Sequence, residues 1–174
     1  GSGVFVVQRR PRAFHHLTEG SLFVSESNGT SVLEYEPRFG ALEPSKATKK
    51  IAIVGRAPSS MMLAPFGDPD WVIYSLSNAA SCGQIKDEHW HVWFELHDLD
   101  AGFQRWPDEY KAWLQQDHGK PIYIQKPHPL IPHGIVYPWQ QVFDEFGGYF
   151  NNSVSEMMAI ALLNGATELG IYGV

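Results

Sequence analysis

The stretch from Lys49 to Ser60, KKIAIVGRAPSS, most constrains what this chain can fold into. Two lysines run into four apolar residues, then a glycine, then a Pro-Ser-Ser turn. An unbroken apolar run of that length is how a strand buried on both faces reads, and such strands belong to parallel sheets covered by helices. A second stretch, NSVSEMMAIALLNGATELGIYG from Asn152 to Gly173, reads as a helix followed by another buried strand. The two together predict an α/β fold: a Rossmann-like, doubly wound, mostly parallel sheet. The given residues stop at Val174, in or just after that last strand.

Size and charge narrow the functional classes. At 174 residues the chain is long enough for one domain with a real core. Hydrophobic content of 44% against 18% charged residues is globular rather than disordered. The net charge of −6 and the absence of a long basic stripe argue against nucleic acid as the partner. No apolar run approaches the roughly 18 residues that a membrane span needs. One cysteine, Cys82, excludes a disulfide framework within the chain and fits a reducing, cytoplasmic compartment. Cys82 lies in a Ser-Cys-Gly turn with no fixed histidine partner, so it is not read as a nucleophile. The opening GSGVF lacks methionine and reads as a remnant of cloning, a processed terminus or the edge of a longer protein.

Residues 1–48 differ in character from the rest and are read as a β-rich arm and linker. VFVVQ is a short strand. SLFVSE and SVLEYE flank Asn28-Gly29, the pair that favours a type I′ hairpin turn. EPRFGALEPSKATKK reads as a linker. Arg9, Arg10, Arg12, His15 and His16 form a small basic cluster of the kind usually found as a solvated surface.

From residue 49 onward strands and helices alternate, and 49–174 is read as one nucleotide-binding domain. Strands are expected at 51–54, 71–75, 91–96, 121–125 and 168–172. Helices are expected at 59–64, capped by Ser59 or Ser60, from Pro107 to Gly119, at 139–146, and at 153–164 with Asn152 as the cap and Gly165 closing it.

Ligands of a doubly wound sheet bind beyond the carboxyl ends of its strands. Four places follow. The first is the turn holding Gly55, Arg56, Pro58, Ser59 and Ser60, where glycine permits close backbone approach and a helix start suits a phosphate; an ordinary β–α turn is the alternative. The second is Ser77 and Asn78, which fit a base or sugar edge or a plain turn. The third is Glu95, His97 and Asp98, candidate acid–base groups by their position. A strand running through 89–97 would set His89, His91, Glu95 and His97 on one face. His91 and Glu95 would then lie about 13 Å apart, too far for one ion without a bend, so no metal is assigned. The fourth is Asn151, Asn152 and Ser153 at the start of the last helix, which suits an anion or serves as a simple cap. His128 and His133, in a proline-rich loop, are further candidates.

Two of these segments carry a family resemblance. KKIAIVGRAPSS resembles the opening strand and turn of the bacterial sialyltransferases that extend lipooligosaccharides, and NNSVSEMMAIALLNGATELGIYGV resembles their later motif of a Ser-containing turn, helix and strand. With WFELHD between them, they also resemble Rossmann-like phage and bacterial proteins related to the 6-hydroxymethylpterin pyrophosphokinase-like group. The resemblance implies a nucleotide pocket for CMP-sialic acid or another nucleotide-sugar, lined by Gly55, Pro58, Ser59, Asn78, Asn152 and Ser153. The sequence departs from the sialyltransferase pattern at Arg56, Ala57 and Val154, and nothing matches that family's catalytic histidine. The expectation is therefore a nucleotide-binding, glycosyltransferase-like domain. The alternative is a non-enzymatic virion or assembly component that self-associates through the N-terminal arm.

Overall fold

The structure, a computed structural model, describes residues 3–6, 21–27, 30–36, 49–80 and 83–174. Its centre is a sheet built from β1 (Gly3–Val6), β4 (Lys50–Val54), β5 (Trp71–Leu76), β6 (Val92–Glu95), β7 (Ile122–Ile124), β8 (Ile135–Val136) and β9 (Glu168–Tyr172). The spatial order is β1-β9-β4-β5-β6-β7-β8. The six strands from β9 to β8 are all parallel. The expected Rossmann-like α/β fold is therefore present. β1 adds to the β9 edge in the antiparallel sense, with Val4 opposite Gly170. The expected N-terminal strand thus belongs to the main sheet. β2 (Ser21–Ser27) and β3 (Thr30–Glu36) form a separate antiparallel hairpin, Ser27 opposite Thr30, in the register that the Asn-Gly pair implies.

The apolar run of β4 exists because both of its faces are covered: Ile51, Ala52, Ile53 and Val54 are each fully buried. Alternation divides them between two cores. Ala52 and Val54 join Ile73, Trp93 and Ile124 on one face, under α1 (Pro58–Met61), α2 (Leu99–Arg105) and α3 (Asp108–Gln115). Ile51 and Ile53 join Phe94, Tyr123 and Leu169 on the other, under α4 (Trp139–Phe146) and α5 (Ser153–Leu163). Among the described residues no helix is long and apolar enough to cross a membrane.

The helices correct the sequence reading in three places. α1 is a four-residue turn capped by Ala57 without a side-chain hydrogen bond, so neither Ser59 nor Ser60 is its cap. Pro58 takes the first helical position, where its missing N–H costs nothing, and this places both serines inside the turn. α2 was not expected; its mid-helix glycine obscures the pattern. Gly102 is there because a Cβ would meet the Trp106 ring at 2.3 Å. α3 stops at Gln115, short of Gly119, and the His118 Nε2–H donates to the Trp113 carbonyl at 2.8 Å, satisfying that helix end. α4 falls where it was expected, and Asn152 caps α5 by accepting from the Ser155 N–H at 2.9 Å. The Asn28-Gly29 turn, the basic cluster at residues 9–16, most of the linker and Cys82 lie outside the described residues.

Candidate active site at the carboxyl edge

The strand order reverses between β4 and β9, which is where a doubly wound sheet opens a crevice at its carboxyl edge. Here that point is closed by backbone. Gly55 N–H donates to the Tyr172 carbonyl and Ala57 N–H to the Gly173 carbonyl, both at 2.8 Å. Gly173 N–H in turn donates to Ser60 Oγ at 2.9 Å. A Cβ on Gly55 would lie 2.3 Å from the Gly173 oxygen. Gly55 thus admits the neighbouring strand end, where the sequence suggested a ligand. Ser60, 6% exposed, ties β9 to α1. Arg56, Pro58 and Ser59 remain exposed on the outside of the turn, and Arg56 Nε–H donates to Gln84 Oε1 at 3.3 Å.

The chemistry gathers two strands away, at the end of β6. Trp93 and Glu95 alternate onto the α3 face, and Glu95 is 1% exposed. A buried carboxylate requires partners. The Tyr110 hydroxyl of α3 donates to its Oε2. Its Oε1 receives the His97 ring Nδ1–H at 2.5 Å and the His97 backbone N–H at 3.3 Å. Because a carboxylate only accepts, Nδ1 carries the proton, and Nε2 is the ring nitrogen left to act on a ligand. The His97 side chain is 62% exposed, so a reactive nitrogen faces outward from a buried anchor.

Electrostatics matches this geometry. The hydrogen bond to Glu95 raises the His97 pKa above its ordinary value; burial opposes this, and the charges of Glu95 and Glu156 add to it. Glu156, in the first turn of α5, is itself raised by burial, with the His97 charge opposing. Burial, then the Glu95 charge, pushes the Tyr110 hydroxyl well above its usual range, while Trp93 and Arg56 pull slightly the other way. Segments following β4 and β6, together with α3 and α5, therefore act electrostatically on one spot. The fully buried Trp93 Nε1–H meets no hydrogen-bond geometry, although it is near enough to the Tyr110 hydroxyl to favour its ionised form.

The remaining expected residues are placed as follows. Asp98 is the cap of α2, its Oδ1 accepting from the Ala101 N–H at 3.0 Å, so its carboxylate organises a helix start. Ser77 has a left-handed φ of 63° at the end of β5, and its hydroxyl bonds Asn78 Oδ1 at 3.4 Å. Asn152 uses its carbonyl oxygen on the α5 cap and its amide on Asn151 Oδ1. Ser153 opens α5, three residues before Glu156. The single-face histidine set does not form, because β6 begins only at Val92. His91 Nδ1 accepts from the Ile73 N–H at 3.0 Å, and His89 stacks on Phe66 at 4.9 Å. Among the described residues no three His, Cys, Asp or Glu side chains are grouped to hold a metal ion. His128 stacks on Phe103 and faces Asp100, while His133 faces Asp117.

Sequence reasoning missed Tyr110. Its signal was present: Tyr110, Trp113 and Leu114 are spaced as the buried face of a helix, and all three are buried. Two surface hollows, of about 360 Å³ beside Trp113 and about 250 Å³ beside Phe143, are lined by neither Glu95, His97 nor Tyr110.

Compared with protein-family models, curated proteins and solved structures, the chain matches none.

Proposed function

We propose that the carboxyl edge between β4 and β6 binds a phosphate-bearing ligand of the nucleotide or nucleotide-sugar class, as a glycosyltransferase-like domain would, with His97 as proton donor. One observation carries this reading: a fully buried carboxylate, Glu95, accepts from the Nδ1–H of an outward-facing imidazole, and this hydrogen bond raises the His97 pKa above its ordinary value. A histidine so held is a general acid near neutral pH. It gives its Nε2 proton to an oxygen of the departing nucleotide as negative charge builds there, and Glu95 keeps the resulting neutral ring in the Nδ1–H form. Arg56 supplies a fixed positive charge on the β4 side, suited to a phosphate. Ser153, at the start of the eleven-residue α5, adds a helix N-terminus on the Glu156 side. Asn78 and Ser59 are the candidates on the same edge for contacts to the sugar or base.

Titration calorimetry with CMP and other nucleoside mono- and diphosphates tests it. Wild-type protein is expected to bind, and Arg56→Ala to lose about tenfold or more, since a hydrogen bond to a charged group contributes about 1.5–3 kcal/mol. Ser153→Trp should abolish binding by filling the helix start. Absence of binding at millimolar nucleotide would remove the reading. An assembly role is the second reading, favoured by apolar surface around α4, where Phe143 is 58% and Tyr149 90% exposed. Sedimentation in the same samples separates the two: a monomer that binds nucleotide supports the first, an oligomer that binds none the second.

A further inference from the structure

We infer that Tyr110 is a positioning residue that acts on His97 through Glu95, forming with them one hydrogen-bonded relay that sets how strongly the outward-facing imidazole holds its proton. This deepens the proposed function and rests on His97 being its proton donor.

The geometry carries it. The two oxygens of Glu95 are divided between two donors, Tyr110 on Oε2 and His97 on Oε1. With Glu95 only 1% exposed, water contributes little to balancing its charge, so what one donor withdraws the other loses. Tyr110 is also 1% exposed and lies among Trp106, at 5.3 Å between ring centres, and Trp113, at 6.1 Å. That aromatic packing fixes the phenol against the carboxylate. Its hydroxyl remains a donor across the working pH range, because burial and the Glu95 charge both oppose its ionisation.

Among the described residues, these groups act on the relay. His97 faces Glu95 from β6, Glu156 from α5 and the uncharged Trp106 ring at 6.5 Å. Tyr110 faces Glu95, with Arg56 and Trp93 as the lesser influences. Removing the phenolic donor leaves His97 as the main partner of a buried charge, so the imidazole should hold its proton more tightly. Strengthening the donor should do the reverse.

The test is a pH titration of the full chain labelled with nitrogen-15 in histidine, read at the His97 ring and without any nucleotide present. Tyr110→Phe keeps the ring and removes one oxygen; the His97 midpoint is expected to move upward. Site-specific 3-fluorotyrosine at position 110, a stronger donor of nearly the same shape, should move it downward. Opposite shifts establish the relay. An unmoved midpoint in both would mean that Tyr110 is only a packing residue and would overturn the inference. If Tyr110→Phe does not fold, the fluorotyrosine protein decides alone. Because no nucleotide is used, this outcome is independent of whether the nucleotide reading holds.

Discussion

Gly55→Ala should destabilise the protein by about 3 kcal/mol, the upper part of the usual range for forcing atoms into a packed site. The reason is backbone meeting backbone. The added methyl would sit 2.3 Å from the Gly173 oxygen and 3.0 Å from its carbonyl carbon, and neither can rotate away as a side chain would. Relief requires the ends of β4 and β9 to separate. That strains the hydrogen bonds from Gly55 and Ala57 to residues 172 and 173, and the one from Gly173 to Ser60. For a domain of this size the loss corresponds to a fall in melting temperature of roughly 6–12 °C. Gly67→Ala is the control. Gly67 has φ of +80° but nothing within 4 Å of a new methyl, so it costs only the left-handed penalty of about 1 kcal/mol. Equal melting temperatures for the two variants would show that the strand ends are not in close contact.

Trp93→Ala is expected to cost about 3–5 kcal/mol, comparable with the whole stability of a marginal domain. Trp93 is fully buried and packs edge-on to Trp90 at 5.3 Å and tilted against Trp113 at 4.7 Å. These three indoles fill the space between β6 and α3, so no neighbour is free to collapse into the void. Trp93→Phe should be much milder, about 1–2 kcal/mol, because it removes an unsatisfied buried N–H along with part of the ring. Urea denaturation reads both values. If Trp93→Phe proved as costly as Trp93→Ala, the indole N–H would have a partner that this geometry does not give it.

The strand core was legible because local pattern and burial agree: an apolar run such as 51–54 has no comfortable place except a sheet covered on both faces. The hairpin register and the α5 cap were legible for the same reason, as each rests on neighbours in sequence. Glu95 and His97 are singled out in the sequence by their place at a strand end, and the structure joins them by a hydrogen bond. Tyr110 is not, because its partnership with Glu95 spans fifteen residues and depends on how α3 crosses the sheet. The sequence suggests room for a ligand at Gly55, and the structure fills that room with Gly173; a glycine announces a close approach without saying what approaches. The capping role of Asp98 is not legible, because it begins a helix whose glycine hides it.

The most direct measurement is a titration of the His97 ring by nuclear magnetic resonance, first alone and then with CMP. The midpoint is expected above the ordinary histidine value of about 6.5, raised by the hydrogen bond to Glu95, with a further upward movement when the nucleotide phosphate arrives. A midpoint at or below that value, unchanged by millimolar CMP, would contradict both the held imidazole and the ligand edge built around it.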